Sequence, residues 1–167
     1  MRLAEFDYSQ AGAYFVTIVA QDRKPLFGQI ADGEMVLNEV GRMVEEVWDE
    51  LPEHFSNVEL SEFVVMPNHI HGIIIITVEA THASPQRSVP SIMPRGPIPG
   101  SLGAIIGSFK SAATKRVHGF TNYKEGRLWQ RNYYEHVIRN ERDYQAIFDY
   151  ILANPANWEK DEEYLIM

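Results

Sequence analysis

Two runs rich in β-branched and apolar residues, Val58 to Val65 and His69 to Val78, stand on either side of Met66-Pro67-Asn68. A three-residue link carrying Pro and Asn has the chemistry of a turn, so the two runs read as adjacent strands of a hairpin. Tyr14 to Ala20 is another strand, again rich in β-branched and aromatic residues, and Leu26 to Ile30 followed by Gly33 suggests a short strand and a turn. Between these pieces the apolar period changes. From Leu37, the positions Val40, Met43, Val44, Val47, Trp48 and Leu51 recur at helical spacing, with Pro52 expected to close the helix. Ser101 is placed as an N-cap ahead of a second stripe of Leu102, Ile105, Ile106, Phe109 and Ala113. Arg127 to Arg139 reads as an extended segment ending in a strand. Asp143 to Asn154 reads as a third helix, with Tyr144, Ile147, Phe148, Ile151 and Leu152 on one face and Pro155 stopping it. Helices separated by strand pairs predict an α+β fold: one domain over residues 1–167, built as an antiparallel sheet with helices packed on it.

Charge is distributed unevenly along these elements. The chain of 167 residues carries a formal net charge of -8, which argues against a nonspecific nucleic-acid binder. Residues 85–142 nevertheless hold 10 Lys and Arg against 3 Asp and Glu. A basic block of that kind suits a surface facing phosphates, and equally suits a solvated face with no partner. Residues 79–100 contain Pro85, Pro90, Pro94, Pro97 and Pro99 with Ser, Gly and Arg between them, and are expected to form a mobile loop. The absence of cysteine excludes disulfides and thiolate zinc sites, and fits a cytoplasmic location. No secretory leader is evident at the start, and the longest strongly apolar run, Ile73 to Val78, is too short to span a membrane.

Two constellations carry chemistry. In His69-Ile70-His71, strand alternation puts both imidazoles on one face, about 7 Å apart along the chain. Such a pair can share a divalent cation, or can be a polar sheet edge satisfied by backbone partners. Tyr150 and Asn154 lie one helical turn apart on one face. Tyr150 falls about 130° from the centre of the apolar stripe of its helix, which argues against plain core packing. Asn154 suits a helix end before proline, and its amide oxygen equally suits Mg2+ or Mn2+.

The strings Phe63-Val-Val-Met-Pro-Asn-His-Ile-His-Gly-Ile-Ile-Ile75, Trp129-Gln-Arg-Asn-Tyr-Tyr-Glu-His-Val-Ile-Arg139 and Tyr150-Ile-Leu-Ala-Asn-Pro155 together resemble the REP-associated tyrosine transposases. These belong to the single-tyrosine HUH transposases, also called IS200-like. Tyr8 to Thr17 is similar as well, so the resemblance covers nearly the whole chain apart from the Pro-rich segment and the last residues. It implies a ferredoxin-like sheet presenting His69 and His71 as metal ligands, Asn154 as an amide-type third ligand, and Tyr150 as nucleophile. It further implies Mg2+ or Mn2+ as cofactor. The activity would be cleavage and rejoining of single-stranded or hairpin DNA through a 5′-phosphotyrosine, in transposition or repeat processing. Relatives act as dimers that exchange helices or as monomers, so a homodimer is left open; no membrane partner is implied.

Rival nucleophiles are Tyr133, Tyr134 and Tyr144; Tyr144 lies on the apolar stripe and is expected in the core. DNA contacts are expected from Lys110, Lys115 and Arg116 on their helix and from Arg127, Arg131 and Arg139 beyond it. Tyr134 is expected to stack a base, with Trp129 as a second aromatic or a core anchor. His136 is expected to be an ordinary sheet histidine. A catalytically silent DNA- or RNA-hairpin binder on the same fold is the alternative. A metal hydrolase of small substrates would need a carboxylate beside the His pair, and none stands at such spacing in the sequence.

Overall fold

A computed structural model describes residues 11–77, 97–123 and 126–161. Most of the expected loop 79–100 therefore lies outside the described residues; its last part, 97–100, has no regular structure beyond a turn. The strands are β1 (Gly12–Val19), β2 (Gly28–Ala31), β3 (Glu34–Leu37), β4 (Val58–Val65), β5 (His69–Ile76) and β6 (Tyr134–Ile138). The helices are α1 (Glu39–Asp49), α2 (Leu51–His54), α3 (Leu102–Phe120) and α4 (Glu141–Ala153). Four strands form one sheet in the order β4-β5-β1-β6, every neighbouring pair antiparallel. With α1 between β1 and β4, and α3 between β5 and β6, this is the split β-α-β pattern of a ferredoxin-like fold.

Alternation along the two central strands divides the molecule into layers. Tyr14, Val16 and Ile18 of β1, with Ile70, Ile74 and Ile76 of β5, face the main core. There they meet Val44, Val47 and Trp48 of α1 and Leu102, Ile105, Ile106 and Phe109 of α3, all buried. Gly72 is the gap in this β5 face: a Cβ there would come within 2.4 Å of the Trp48 ring, which instead stacks on Phe63 at 4.5 Å. The other sheet face carries Phe15, Thr17, His69, His71 and Ile73. A smaller cluster of Phe15, Ile73 and Ile151 seats α4 there. Ser61 of β4 and Tyr144 of α4, hydrogen-bonded at 2.5 Å, fasten the start of that helix to the sheet.

Several elements differ from the sequence reading. The short strand after Leu26 is one arm of a two-stranded hairpin, β2 with β3, turned by Asp32 and Gly33 at φ of 53° and 77°. Pro52 does not close a helix; it sits in the first turn of α2, where its missing N–H costs nothing. The capping residues behave as expected where they were recognised. Ser101 Oγ accepts from the Ala104 amide, and Asn38 and Asn140 cap α1 and α4 in the same way. On α4 the buried stripe is narrower than expected: Ile151 is buried but Leu152 is 58% exposed. Tyr144 is half-buried rather than core.

Candidate metal and nucleophile site

β5 and β1 bring the two histidines to the α4 face of the sheet, paired with Val19 and Thr17 respectively. Their Nε2 atoms lie 2.9 Å apart, and both rings are buried. Each is oriented from behind. Asn68, in the β4–β5 turn, donates from Nδ2 to the Arg23 carbonyl, which turns its Oδ1 toward His69 Nδ1 at 2.8 Å. An amide oxygen only accepts, so His69 carries its proton on Nδ1 and presents a bare Nε2. Burial, with a smaller contribution from His71, pushes the His69 pKa down to about 3 against the opposing pull of Asp161, so the ring is neutral. His71 Nδ1 is paired with Thr17 Oγ1 at 2.8 Å, and its ring stacks on Phe15.

α4 delivers the other two expected residues to the same place. The Tyr150 hydroxyl is 3.3 Å from His71 Nε2, while the side chain stays 45% exposed. Asn154 is the C-cap of α4 and is buried. Its proline neighbour does not send the chain away. Residues Pro155–Lys160 form a 3-10 turn that folds back over the site, with the Trp158 ring stacked against His69 at 5.8 Å. Asp161 follows. Its Oδ2 accepts from Tyr150 Oη at 3.2 Å and Asn154 Nδ2 at 3.1 Å, and lies 3.9 and 3.7 Å from the Nε2 atoms of His69 and His71.

The expectation that no carboxylate stands beside the His pair is therefore corrected by Asp161, which is buried there. Sequence spacing concealed it, because Pro155 interrupts the helical register between Asn154 and Asp161.

This donor set fits a divalent cation. Two ligands at right angles with bonds of about 2.1 Å stand about 3 Å apart, as the two Nε2 atoms do. One ligand atom each from His69, His71 and Asp161 can be chosen so that all lie within 4.8 Å of one another. Asn154 Oδ1 is buried without a hydrogen-bond partner, and a hard cation is the kind of neighbour that would satisfy it. Neutral imidazole with carboxylate and amide oxygens is a set that Mg2+ or Mn2+ accepts.

The expected DNA-contacting residues divide. Lys115, Arg127 and Arg131 are exposed and line, with Lys110, Ser111 and Thr114, a groove of about 860 Å³ between α3 and residues 126–131. Lys110 is anchored: its Nζ donates to the carbonyls of Gln130 at 2.7 Å and Arg131 at 3.0 Å. Arg116 departs from the expectation of a free cation, since it makes a two-pronged pair with Glu50 at 2.9 and 2.8 Å. Arg139 is exposed ahead of α4. Tyr134 is 48% exposed, and Phe15 joins it to the site: the Phe15 centroid is 6.2 Å from that of Tyr134 and 6.1 Å from that of Tyr150. Trp129 is a core anchor, buried against Phe27 and Phe109. His136 is bonded to Asp143 at 2.9 Å.

Sheet order and the helices packed on it define an α+β molecule of ferredoxin-like topology. No family model matches the chain. A Haemophilus influenzae protein named only "Uncharacterized protein" is 38% identical over 167 residues, covering 99% of this chain and 92% of its own length; the chain belongs to its family. A second Haemophilus influenzae protein, named "Putative REP-associated tyrosine transposase", is 26% identical, covering 90% of this chain and 73% of its own. A solved REP-associated tyrosine transposase, bound to a REP hairpin, shares the fold with a TM-score of 0.62 at 21% identity, over 95% of this chain and 74% of that one. The chain is thus similar in sequence and in fold to the REP-associated tyrosine transposases. Among the described residues no helix is long and apolar enough to cross a membrane.

Proposed function

We propose that the chain is a metal-dependent single-strand DNA nuclease and strand transferase, with Tyr150 as nucleophile and His69, His71, Asn154 and Asp161 as the ligand set. The observation that carries the reading is the meeting of the hydroxyl of a half-exposed tyrosine with a buried His-His-Asp group, at 3.3 Å from one imidazole and 3.2 Å from the carboxylate. A tyrosine held only for packing has no need of that neighbourhood.

When bound, the cation supplies Lewis acidity to a non-bridging phosphate oxygen and offsets charge gained in the transition state. The chain's own groups do the rest. Tyr150 Oη attacks phosphorus as the Oη–P bond forms and the P–O3′ bond breaks. Its proton leaves toward Asp161 Oδ2, which already accepts it, and the departing O3′ takes a proton from solvent water to become a free hydroxyl. Phosphodiester bond energy is retained in the 5′-phosphotyrosine, so a second 3′-hydroxyl can reverse the step and join a new strand. His69 and His71 are aimed by Asn68 and Thr17, so that neither must reorganise.

The substrate class that suits this site is single-stranded DNA at the foot of a hairpin; the solved transposase of the same fold is bound to a REP hairpin. The test is incubation of labelled hairpin DNA bearing a single-stranded tail with the protein and Mn2+. A covalent protein–DNA band on a denaturing gel that disappears with EDTA supports the reading. Free hydrolysis products without any adduct would support the metal-hydrolase alternative, and retardation without cleavage the silent binder.

A further inference from the structure

Three exposed cations, Lys115, Arg127 and Arg131, share the groove between α3 and residues 126–131 with the hydroxyls of Ser111 and Thr114. No acidic side chain lines it among the described residues, in a chain whose formal charge is -8. Its floor is fixed. Lys110 is held by two backbone carbonyls, leaving one proton and its charge for a ligand, and burial holds its pKa below the usual lysine value. A row of cations with hydroxyls between them, open along one side, matches a phosphodiester backbone better than a compact anion.

The groove also leads somewhere. Arg131 lines both it and a second depression that runs past Asn132 and Tyr133 to Tyr134 and the largely buried Glu135. Tyr134 opens β6, one of the two edge strands of the sheet, and reaches the site through a single ring, Phe15, which lies 5.4 Å from the His71 ring.

We infer that this groove is the docking track for the DNA backbone flanking the cleavage point. Phosphates lie over Lys115, Arg127 and Arg131, and the strand crosses the β6 edge with one base stacked on the exposed face of Tyr134. The assignment rests on the reading of Tyr150 as nucleophile for where the strand ends, but not for where it binds. Arg116 is excluded from the track because Glu50 already takes both of its prongs.

Binding is measured without metal, in EDTA, by fluorescence anisotropy of a DNA hairpin with a single-stranded tail across a salt series. Each lost phosphate contact on a single strand lowers the slope of log K against log salt by about 0.7. Lys115→Ala/Arg127→Ala/Arg131→Ala is therefore expected to lose about two units of slope. Arg127→Lys/Arg131→Lys, which keeps the charges, is expected to keep the slope and so to exclude misfolding as the cause, and Arg116→Ala to leave it unchanged. Tyr134→Ala is expected to weaken binding to an intact tail about tenfold, at the lower end of base-stacking effects, and to change nothing for a tail of abasic sites.

A triple variant with the wild-type slope, or a wild-type protein whose affinity ignores salt, overturns the track. The two readings fail separately. An adduct from wild type with an unchanged triple variant removes the track and leaves the nucleophile; salt-dependent docking in the groove with no adduct at any metal concentration does the reverse.

Discussion

The Tyr150 hydroxyl stands 3.3 Å from Nε2 of His71, although 79 positions separate the two in sequence. The contact depends on two independent pieces of folding. Strand β5 must present His71 toward α4, and α4 must roll so that Ile151 enters the small core of Phe15 and Ile73 while Tyr150 stays at the rim. One residue of register slip in β5 would turn both imidazoles into the main core.

Orientation of the histidines from behind gives the first prediction. Asn68→Ala and Thr17→Val remove the groups that fix the rings without touching a proposed ligand. Calorimetric Mn2+ affinity is expected to fall about 10- to 100-fold in each, and to be lost in His69→Ala/His71→Ala. Wild-type affinity in the double histidine variant would place the cation elsewhere.

The neutral state of His69 makes metal-free stability depend on pH. The unfolded chain takes up a proton below the ordinary histidine value of 6.5, whereas the folded chain resists until about 3. Stability is thus full above 6.5 and lost as pH falls through that window, by at most about 1.4 kcal/mol per pH unit. Urea midpoints of metal-free protein between pH 7.5 and 4.5 are expected to fall more steeply for wild type than for His69→Gln. Parallel curves would contradict it.

Packing beneath the site sets the third prediction. At Gly72 a methyl group would enter the space held by Trp48 and Phe63, with approaches of 2.4 and 3.1 Å. Gly72→Ala is expected to cost about 1–3 kcal/mol through that overpacking. A loss under half of that in denaturant unfolding would mean that Trp48 gives way more easily than its burial suggests.

Much of the fold was legible because alternation and helical periodicity survive in a single chain. The β4–β5 pair, the Ser101 cap and the stripe of α3 are all visible as patterns of residues. The β2–β3 hairpin was only half visible, since Glu34 to Leu37 is too short to show a period. The His pair and the Tyr150–Asn154 turn were also readable, because each is local. Asp161 was not. It reaches the pair through a 3-10 turn after a proline, and no periodicity extends across such a break. The engagement of Arg116 by Glu50 was equally hidden, because 66 positions separate them and neither position has a pattern of its own.

The nucleophile assignment is tested most directly on the adduct itself. Tyr150→Phe removes one hydroxyl from a side chain that is 45% exposed, so unfolding stability should change by less than about 1 kcal/mol and DNA affinity should persist. Wild-type protein trapped with labelled hairpin DNA and Mn2+ is digested and the nucleotide-bearing peptide sequenced by mass spectrometry. The nucleotide is expected on Tyr150, in the peptide that also carries Ile151 to Asn154, and no adduct is expected from Tyr150→Phe. A nucleotide on Tyr133, Tyr134 or Tyr144, or undiminished cleavage by Tyr150→Phe, would contradict it.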